Sequence, residues 1–166
     1  ERRHVRCLPS FNTSHVQGAF PRVEERSKVR LENGFVADCE LEVFLVINYA
    51  NSAKAAEELA ESLKSQGHKA LAVKADIARP DAVTALFDKT IAEFGGVDVI
   101  VNNAGVMMTT PIADMDDATY DAMMDINVRG TFNMLREGAK HLRDHGRVIN
   151  FSTTALHAAH QRGRAR

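Results

Sequence analysis

The chain has 166 residues, of which 45% are hydrophobic and 26% charged, and a formal net charge of −1, a balance typical of a soluble globular domain with one core. This charge gives no general attraction for nucleic acid or a membrane surface, and the longest apolar run, Val43–Ile47, is too short to span a bilayer. The two cysteines, Cys7 and Cys39, have neither CxxC nor metal-ligand spacing, so we predict no metal site and a cytoplasmic protein with reduced thiols.

Residues 1–42 form an atypical N-terminal segment without a convincing hydrophobic period. The stretch "HVRCLPSF" is compatible with a strand, although Pro9 interrupts it. The charged stretch "RVEERSKVRLENG" is compatible with a short exposed helix ending at Gly34, but a solvated or poorly ordered segment is favoured for the whole zone. The sequence begins with Glu1, and its first methionine is Met107. We therefore expect a fragment or a misread start, with a processed N-terminus as the milder alternative.

Residues 43–154 alternate strand-like and helix-like patterns and form the predicted core domain. The strand "VFLVINY" precedes a helix that Ser52 can cap and Gly67 can stop. The strand "KALAVKA" precedes a second helix that starts near Pro80 and stops at Gly95. The third strand is "VDVIVN". The apolar faces of the two helices comprise Ala56, Leu59, Ala60 and Leu63 in the first, and Val83, Leu86, Phe87, Ile91 and Phe94 in the second.

A long third helix is predicted from Asp117 to Arg143, with Gly146 ending it and "RVINF" as the fourth strand. Its predicted buried face comprises Met124, Val128, Phe132, Leu135, Ala139 and Leu142. This alternation predicts an α/β fold with a doubly wound parallel sheet, helices covering both faces. Residues 155–166 form a basic tail, for which a frayed end is favoured over a nucleic-acid arm because so few charges give little phosphate affinity.

Ligands of open parallel sheets bind outside the carboxyl ends of the strands, so the residues that follow the strands are the candidates for a binding site. They are Asn48 and Tyr49, then Asp76 and Ile77, then Asn102, Asn103, Ala104 and Gly105, and finally Ser152, Thr153 and Thr154. Each alone is weak evidence, since an asparagine at a strand end is more often an ordinary turn residue. Together they predict a crevice for a polar ligand, where Asp76 can accept from an amino group and Gly105 permits close backbone approach.

Four stretches carry a resemblance to a known family: "KADI", "DVIVNNAG", "YDAMMDINVRGTFNM" and "GRVINFS". In this order, with Asn127 placed 24 residues after Asn103, residues 43–153 resemble the short-chain dehydrogenase/reductase family. The most similar members are of the 3-oxoacyl-carrier-protein-reductase and glucose-dehydrogenase kind. The resemblance implies a Rossmann-like fold and hydride transfer between NAD(P) and a small-molecule carbonyl or alcohol substrate.

The resemblance also implies roles for matching positions. Asp76 and Ile77 would frame the adenine. The ribose and the path to the nicotinamide would be lined by Asn103, Ala104 and Gly105. Asn102 would brace the sheet. Asn127 matches the catalytic asparagine that orders a proton-relay water, and Thr153 falls at the catalytic serine, with Ser152 one position early. After the first strand, Asn48 and Tyr49 stand where an acidic residue would favour NAD, so NADP is favoured as the cofactor.

Two family motifs have no match here. No T-G-x-x-x-G-x-G loop follows a first strand, and neither Tyr49 nor Tyr120 has a lysine four residues on, so the expected sheet is incomplete at both ends. "HVRCLPSF" is the candidate for the missing central strand. The family is usually homo-oligomeric, but its C-terminal interface elements are absent here. Three hypotheses follow: an NADP-dependent oxidoreductase with impaired activity, a non-catalytic nucleotide-binding or interaction module, and an inert gene product.

Overall fold

The computed structural model describes residues 43–108 and 110–152 in full and, in addition, the backbone of residues 4–10, 28–30, 36–38 and 42. The strands are β1 His4–Ser10, β2 Lys28–Arg30, β3 Val36–Asp38, β4 Glu42–Tyr49, β5 Lys69–Lys74, β6 Val97–Asn102 and β7 Leu142–Asn150. The helices are α1 Ala53–Ser65, α2 Pro80–Phe94, α3 Asp117–Met124 and α4 Thr131–His141, with a 3₁₀ turn at Ile112–Asp114 and a π-helical turn at Asp125–Gly130.

Five parallel strands form one sheet in the order β5-β4-β1-β6-β7. The central position belongs to β1, as expected for "HVRCLPSF". Its register with β4 runs from His4 to Cys7 and resumes at Ser10, whereas its register with β6 runs from Cys7 to Ser10 and includes Pro9. The predicted exposed helix over 22–34 is wrong where it is described, because β2 pairs antiparallel with β3. The remainder of that stretch lies outside the described residues.

Alternate side chains of β4 pack on opposite faces of the sheet, as in any pleated strand. Leu45 and Ile47 pack with α1, whereas Val46 packs with Phe87 of α2 and Met134 of α4. Both faces are therefore covered by helices, and the fold is a Rossmann-like, doubly wound α/β sheet. Full burial of a side chain such as Phe87 contributes about 1.5–3 kcal/mol, so these two layers supply much of the driving force for folding.

The predicted helix ends are confirmed by backbone geometry. Helix α1 stops where Gly67 takes a φ of +88° and its N–H donates to Lys64 O at 2.9 Å. Helix α2 begins with Pro80 and stops at Gly95, which has a φ of +78°. Ser52 does occupy the N-cap position of α1, but its side chain forms no capping bond within the described part of the chain.

The predicted single helix from Asp117 to Arg143 is wrong in its continuity and its end. It is divided into α3 and α4 by the π-helical turn, and α4 ends at His141. Gly146, expected to stop the helix, lies inside β7, where the register with β6 shifts between Val97 and Val99. A π turn contains one residue more than an α turn, so the residues before and after it do not share one helical face.

The predicted buried face of that helix is also wrong. Val128 and Phe132 are 52% and 56% exposed, whereas Asn133 and Glu137 are 1% and 3% exposed. The exposed members of the predicted face are Met124, Val128, Phe132, Leu135 and Ala139, and Leu142 packs against the core as the first residue of β7. Gly138 of α4 explains the inversion: a Cβ added to it would lie 2.6 Å from Ile100 Cδ1, so the backbone itself packs on the sheet.

This close approach predicts a coupled pair of substitutions. Gly138→Ala should destabilise the fold, because overpacking costs about 1–3 kcal/mol and outweighs the gain of about 1 kcal/mol in helix propensity. Ile100→Val removes the clashing methyl group and should rescue part of that loss in the double variant. Urea unfolding of the four proteins measures the coupling. Additivity within about 0.5 kcal/mol would show that the helix does not pack this closely.

Glu137 is a buried carboxylate between α4 and α2. Lys140 Nζ lies 2.8 Å from Glu137 Oε1 and His141 Nε2 lies 3.6 Å from Oε2. The hydrogen bond from Lys140 is the largest influence and holds the pKa of Glu137 below its ordinary value of 4.5, although burial opposes it. Since the folded state favours the charged form, this carboxylate stabilises the fold above its unfolded pKa.

Stability should therefore fall as the pH drops from about 4.5 through the lower folded pKa of Glu137, because protonation is then favoured by the unfolded chain. Glu137→Gln should flatten the pH dependence of the unfolding free energy in that window. Glu61→Gln is the matched control, since Glu61 and Lys64 have the same spacing and the same 2.8 Å distance but are exposed. Equal effects of the two substitutions in urea titrations would contradict the assignment.

Among residues 43–108 and 110–152, no three His, Cys, Asp or Glu side chains are grouped as metal ligands. No helix within the described residues has the length and apolar character needed to cross a membrane.

Candidate functional site

The carboxyl ends of four strands lie level with one another. Ser10 of β1 is in register with Asn48 of β4 on one side and with Asn102 of β6 on the other, and Asn102 is in register with Asn150 of β7. The strand order switches sides at β1: β4 and β5 lie on one side of it, and β6 and β7 lie on the other. Such a switch point is where open α/β sheets form ligand crevices.

Asn48 is buried at this rim and is committed to the neighbouring strand. Its Nδ2 donates to Val73 O at 3.3 Å and to Ala75 O at 2.9 Å. The backbone oxygen of Tyr49 accepts from the N–H of Ala75 at 2.9 Å. The structure thus places Asn48 as a tie between β4 and the residues after β5, with the half-buried Tyr49 packed beside α1.

The turn after β5 presents one of its predicted site residues outward and the other inward. Asp76 is exposed, and its Oδ1 accepts from the N–H of Ala78 at 3.0 Å. The Ile77 side chain belongs to the core. A Cβ added to Gly130 would lie 2.6 Å from Ile77 Cδ1, so Ile77 occupies the space that such a Cβ would need. The side chain available at the rim is therefore the Asp76 carboxylate, while Ile77 anchors the turn.

Asn102 joins β6 to β7 at the end of both strands. Its Nδ2 donates to Asn150 Oδ1 at 2.8 Å, and its backbone oxygen accepts from the N–H of Phe151 at 3.0 Å. Its Oδ1 is buried and has no hydrogen-bond partner among the described residues. Ser152 directly follows Phe151 in the sequence and is exposed. Thr153, predicted to fall at the catalytic serine, lies outside the described residues.

Asn127 clamps the loop that follows β6. Its Oδ1 accepts from the N–H of Val106 at 2.8 Å, and its Nδ2 donates to Val106 O at 2.8 Å. A Cβ on Gly105 would lie 3.3 Å from Asn127 Oδ1, so a glycine suits this close contact. Asn103 and Ala104, which precede it, are half-buried at the rim. The motif residues after β6 and the predicted catalytic asparagine are therefore brought together.

Asn127 lies within the π-helical turn, and its backbone oxygen accepts from Thr131 Oγ1 at 2.9 Å. Such turns are often found at functional sites. The structure shows no contact between Asn127 and Ser152; what it brings together is Asn127 with the β6 loop and Ser152 with the Asn102–Asn150 pair.

Sequence reasoning missed Thr131, Asn133 and Asn150. Asn150 was hidden inside the predicted strand "RVINF", and Asn133 was hidden because the helix was assigned the wrong face. A usable signal was the spacing of Gly130, Asn133 and Gly138, since small and polar residues recurring at helical spacing can mark a close packing face.

Comparison with known proteins bears on this arrangement. The family model of short chain dehydrogenases matches residues 39–163, which include the strand ends β4 to β7 and both helical segments around Asn127. The chain belongs to the short-chain dehydrogenase family. The sequence-based identification from "DVIVNNAG" and "YDAMMDINVRGTFNM" is therefore confirmed.

Among relatives of this short-chain dehydrogenase chain, versicolorin reductase of Emericella nidulans is 40% identical over 105 residues, 63% of this chain and 40% of that protein. A solved short-chain dehydrogenase/reductase from Serratia marcescens is 35% identical with a TM-score of 0.65, covering 68% of this chain and 46% of the other. A short chain dehydrogenase from Burkholderia cenocepacia in complex with NADP is 30% identical with a TM-score of 0.63, covering 70% and 52%. The chain spans about 40% of the length of the curated relatives it matches.

The clamp at Val106 predicts a specific loss of order in this chain. Asn127→Leu removes both hydrogen bonds, each worth about 0.5–1.5 kcal/mol, so amide hydrogen exchange in residues 103–108 should become about tenfold faster or more. Thr131→Val is the control, because it removes only the bond to Asn127 O and leaves the clamp intact. Unchanged exchange at Val106 in Asn127→Leu would show that other contacts hold the loop.

Proposed function

We propose that this chain provides the adenosine-binding side of an oxidoreductase that interconverts a small-molecule carbonyl and an alcohol with NADP(H). The observation that carries the proposal is the meeting of the β5 turn, the β6 loop and the π-helical turn at the switch point of the sheet, with Asn127 bonded to both backbone groups of Val106. Membership of the short-chain dehydrogenase family and the NADP complex of the Burkholderia relative support it.

The residues at the rim fit the adenosine half of the cofactor. The exposed Asp76 carboxylate has one oxygen bonded to Ala78, which orients it to accept from an exocyclic amino group. Asn103 and Ala104 are half-buried and Gly105 is exposed, so a ribose can lie against these three residues.

NADP is proposed over NAD because the segment after β4 offers no carboxylate. An acidic side chain there accepts from both ribose hydroxyls of NAD and repels a 2′-phosphate. Here the strand ends in Asn48 and Tyr49 and continues with Ala50, Asn51 and Ser52. The solved relatives with bound NADP or NADPH are consistent with this preference. Within the same proposal we place the protein in the cytoplasm.

When bound, NADP(H) supplies or accepts the hydride. The residues of this chain serve the substrate side in two ways. Asn127, bonded to Val106 and Thr131, is proposed to hold the loop after β6 in place beside the substrate. The hydroxyl groups of Ser152 and Thr153 follow β7 and are proposed to bind the carbonyl or alcohol oxygen, with Asn102 and Asn150 fixing the strand end from which they extend.

Turnover by the 166-residue chain alone is proposed to be impaired. Its sequence contains no Tyr-x-x-x-Lys, and loss of a positioned acid/base costs about 10²- to 10⁴-fold in rate. The same observation favours a second candidate function, a non-catalytic nucleotide-binding module, which needs only the adenosine side of the crevice. An inert product remains the third alternative and predicts a chain without ordered tertiary packing.

Fluorescence titration of the full chain should show saturable NADPH binding that is tighter than NADH binding. Asp76→Ala should weaken NADPH binding by about tenfold, the value of one good hydrogen bond to a charged group. Asp88→Ala, on the exposed side of α2, is the control and should leave binding unchanged.

The outcomes separate the three functions. Binding together with loss of NADPH absorbance on addition of a carbonyl compound supports an enzyme, whereas binding without turnover supports the module. No binding at millimolar NADPH excludes both, and absence of a near-UV circular dichroism signal supports the inert product.

A further inference from the structure

Asn133 is a buried amide on α4 that contacts a distant part of the chain. It is 1% exposed. Its Nδ2 donates to Ile77 O at 2.9 Å and to Ala78 O at 3.2 Å. Both acceptors belong to the turn after β5, more than fifty residues earlier in the sequence. One side chain thus satisfies two consecutive backbone carbonyls that α4 would otherwise cover.

The orientation of this amide is fixed from its other end. Arg136 donates from a guanidinium nitrogen to Asn133 Oδ1 at 3.2 Å, and the same guanidinium lies 5.2 Å from the centre of the Phe132 ring. A flipped amide would place its oxygen against two carbonyl oxygens and its nitrogen against the Arg136 donor. All three contacts therefore agree on one orientation, with both N–H groups directed at the turn.

The turn is held from its own side as well. Asp76 Oδ1 accepts from Ala78 N, and Asp76 O accepts from Arg79 N at 3.0 Å. Ala78 is consequently fixed at its N–H by Asp76 and at its C=O by Asn133. A turn that is held at both backbone groups before a ligand arrives loses little conformational entropy on binding.

Asn127 and Asn133 lie six residues apart on one continuous helical stretch, the π-helical turn leading into α4. Asn127 bonds to the β6 loop at Val106, and Asn133 bonds to the β5 turn at Ile77 and Ala78. The helical backbone between them therefore sets the spacing of the two loops that the proposed function assigns to the adenine and to the ribose.

We propose that Asn133 is a positioning residue for the adenosine half of the cofactor: it never touches the ligand, but it holds the Asp76–Arg79 turn in its binding conformation. This inference rests on the proposed function, since it concerns the same crevice. It differs from the roles assigned to Asp76 and Asn127 because Asn133 acts entirely through a backbone turn.

Asn133→Leu tests it, because leucine has a similar size but donates no hydrogen bond. The dissociation constants of NADPH and of 2′,5′-ADP should rise by the same factor of about tenfold or more, since one or two unpaired carbonyls reshape the turn. The equal factor locates the loss in the adenosine half. Amide hydrogen exchange at Ile77, Ala78 and Arg79 should become faster in the same variant.

Two further variants guard against a general loss of stability. Thr90→Val is the matched control, because the Thr90 hydroxyl is equally buried but bonds only within α2, to Leu86 O at 2.7 Å; it should lower stability without changing either dissociation constant. Arg136→Met removes the bond to Asn133 Oδ1 and the contact of the guanidinium with the exposed Phe132 ring, and leaves both bonds from Asn133 to the turn in place. It should keep the fold and give a smaller rise in both constants.

The outcomes distinguish this inference from the proposed function. If the unsubstituted chain binds neither NADPH nor 2′,5′-ADP, the proposed function fails and this inference with it. If the unsubstituted chain binds both while Asn133→Leu and Arg136→Met bind as tightly, this inference alone is overturned. A rise in Asn133→Leu that Thr90→Val reproduces would assign the effect to stability and overturn it too.

Discussion

The bonding of asparagine side-chain amides to backbone groups is the interaction on which the carboxyl edge of this sheet depends. At that edge the ladder of strand hydrogen bonds ends, and the exposed backbone of each loop needs new partners. Asn48, Asn127 and Asn133 supply them, each linking two elements that are distant in sequence. The Asn102 side chain adds a bond to the Asn150 side chain, between the ends of β6 and β7. An amide can donate and accept at once, which an aliphatic or carboxylate side chain cannot do at neutral pH.

The central strand imposes a second condition. Without β1, the pair β4 and β5 would have no hydrogen-bonded connection to β6 and β7, and the switch point would not exist. The strand His4–Ser10 fills that place although its sequence has none of the family's glycine motif. A central strand places fewer requirements on the sequence than a phosphate-binding loop does. The strand requires only an extended backbone, whereas the loop requires glycines where a phosphate approaches.

Most of the fold between Val43 and Asn102 could be predicted from hydrophobic period, Gly67, Pro80 and Gly95, because those signals are local. The helix after Asp117 could not, because its packing face is decided by contacts of Gly130 with Ile77 and of Gly138 with Ile100, which a helical wheel ignores. The motif marked Asn102, Asn103 and Asn127 as candidates for the site. It did not show that Asn48 bonds to strand β5 or that Asn133 bonds to the β5 turn, because both depend on how loops meet in three dimensions.

The π-helical turn at Asp125–Gly130 has a consequence for the tolerance of this chain to change in length. A π turn holds one residue more than an α turn, so deleting a single residue there would convert the turn to α-helix. The deletion would remove the wide turn in which Asn127 lies and from which it bonds to Val106. Length variants in this short segment should therefore be purged by selection even where point substitutions on its exposed side are accepted.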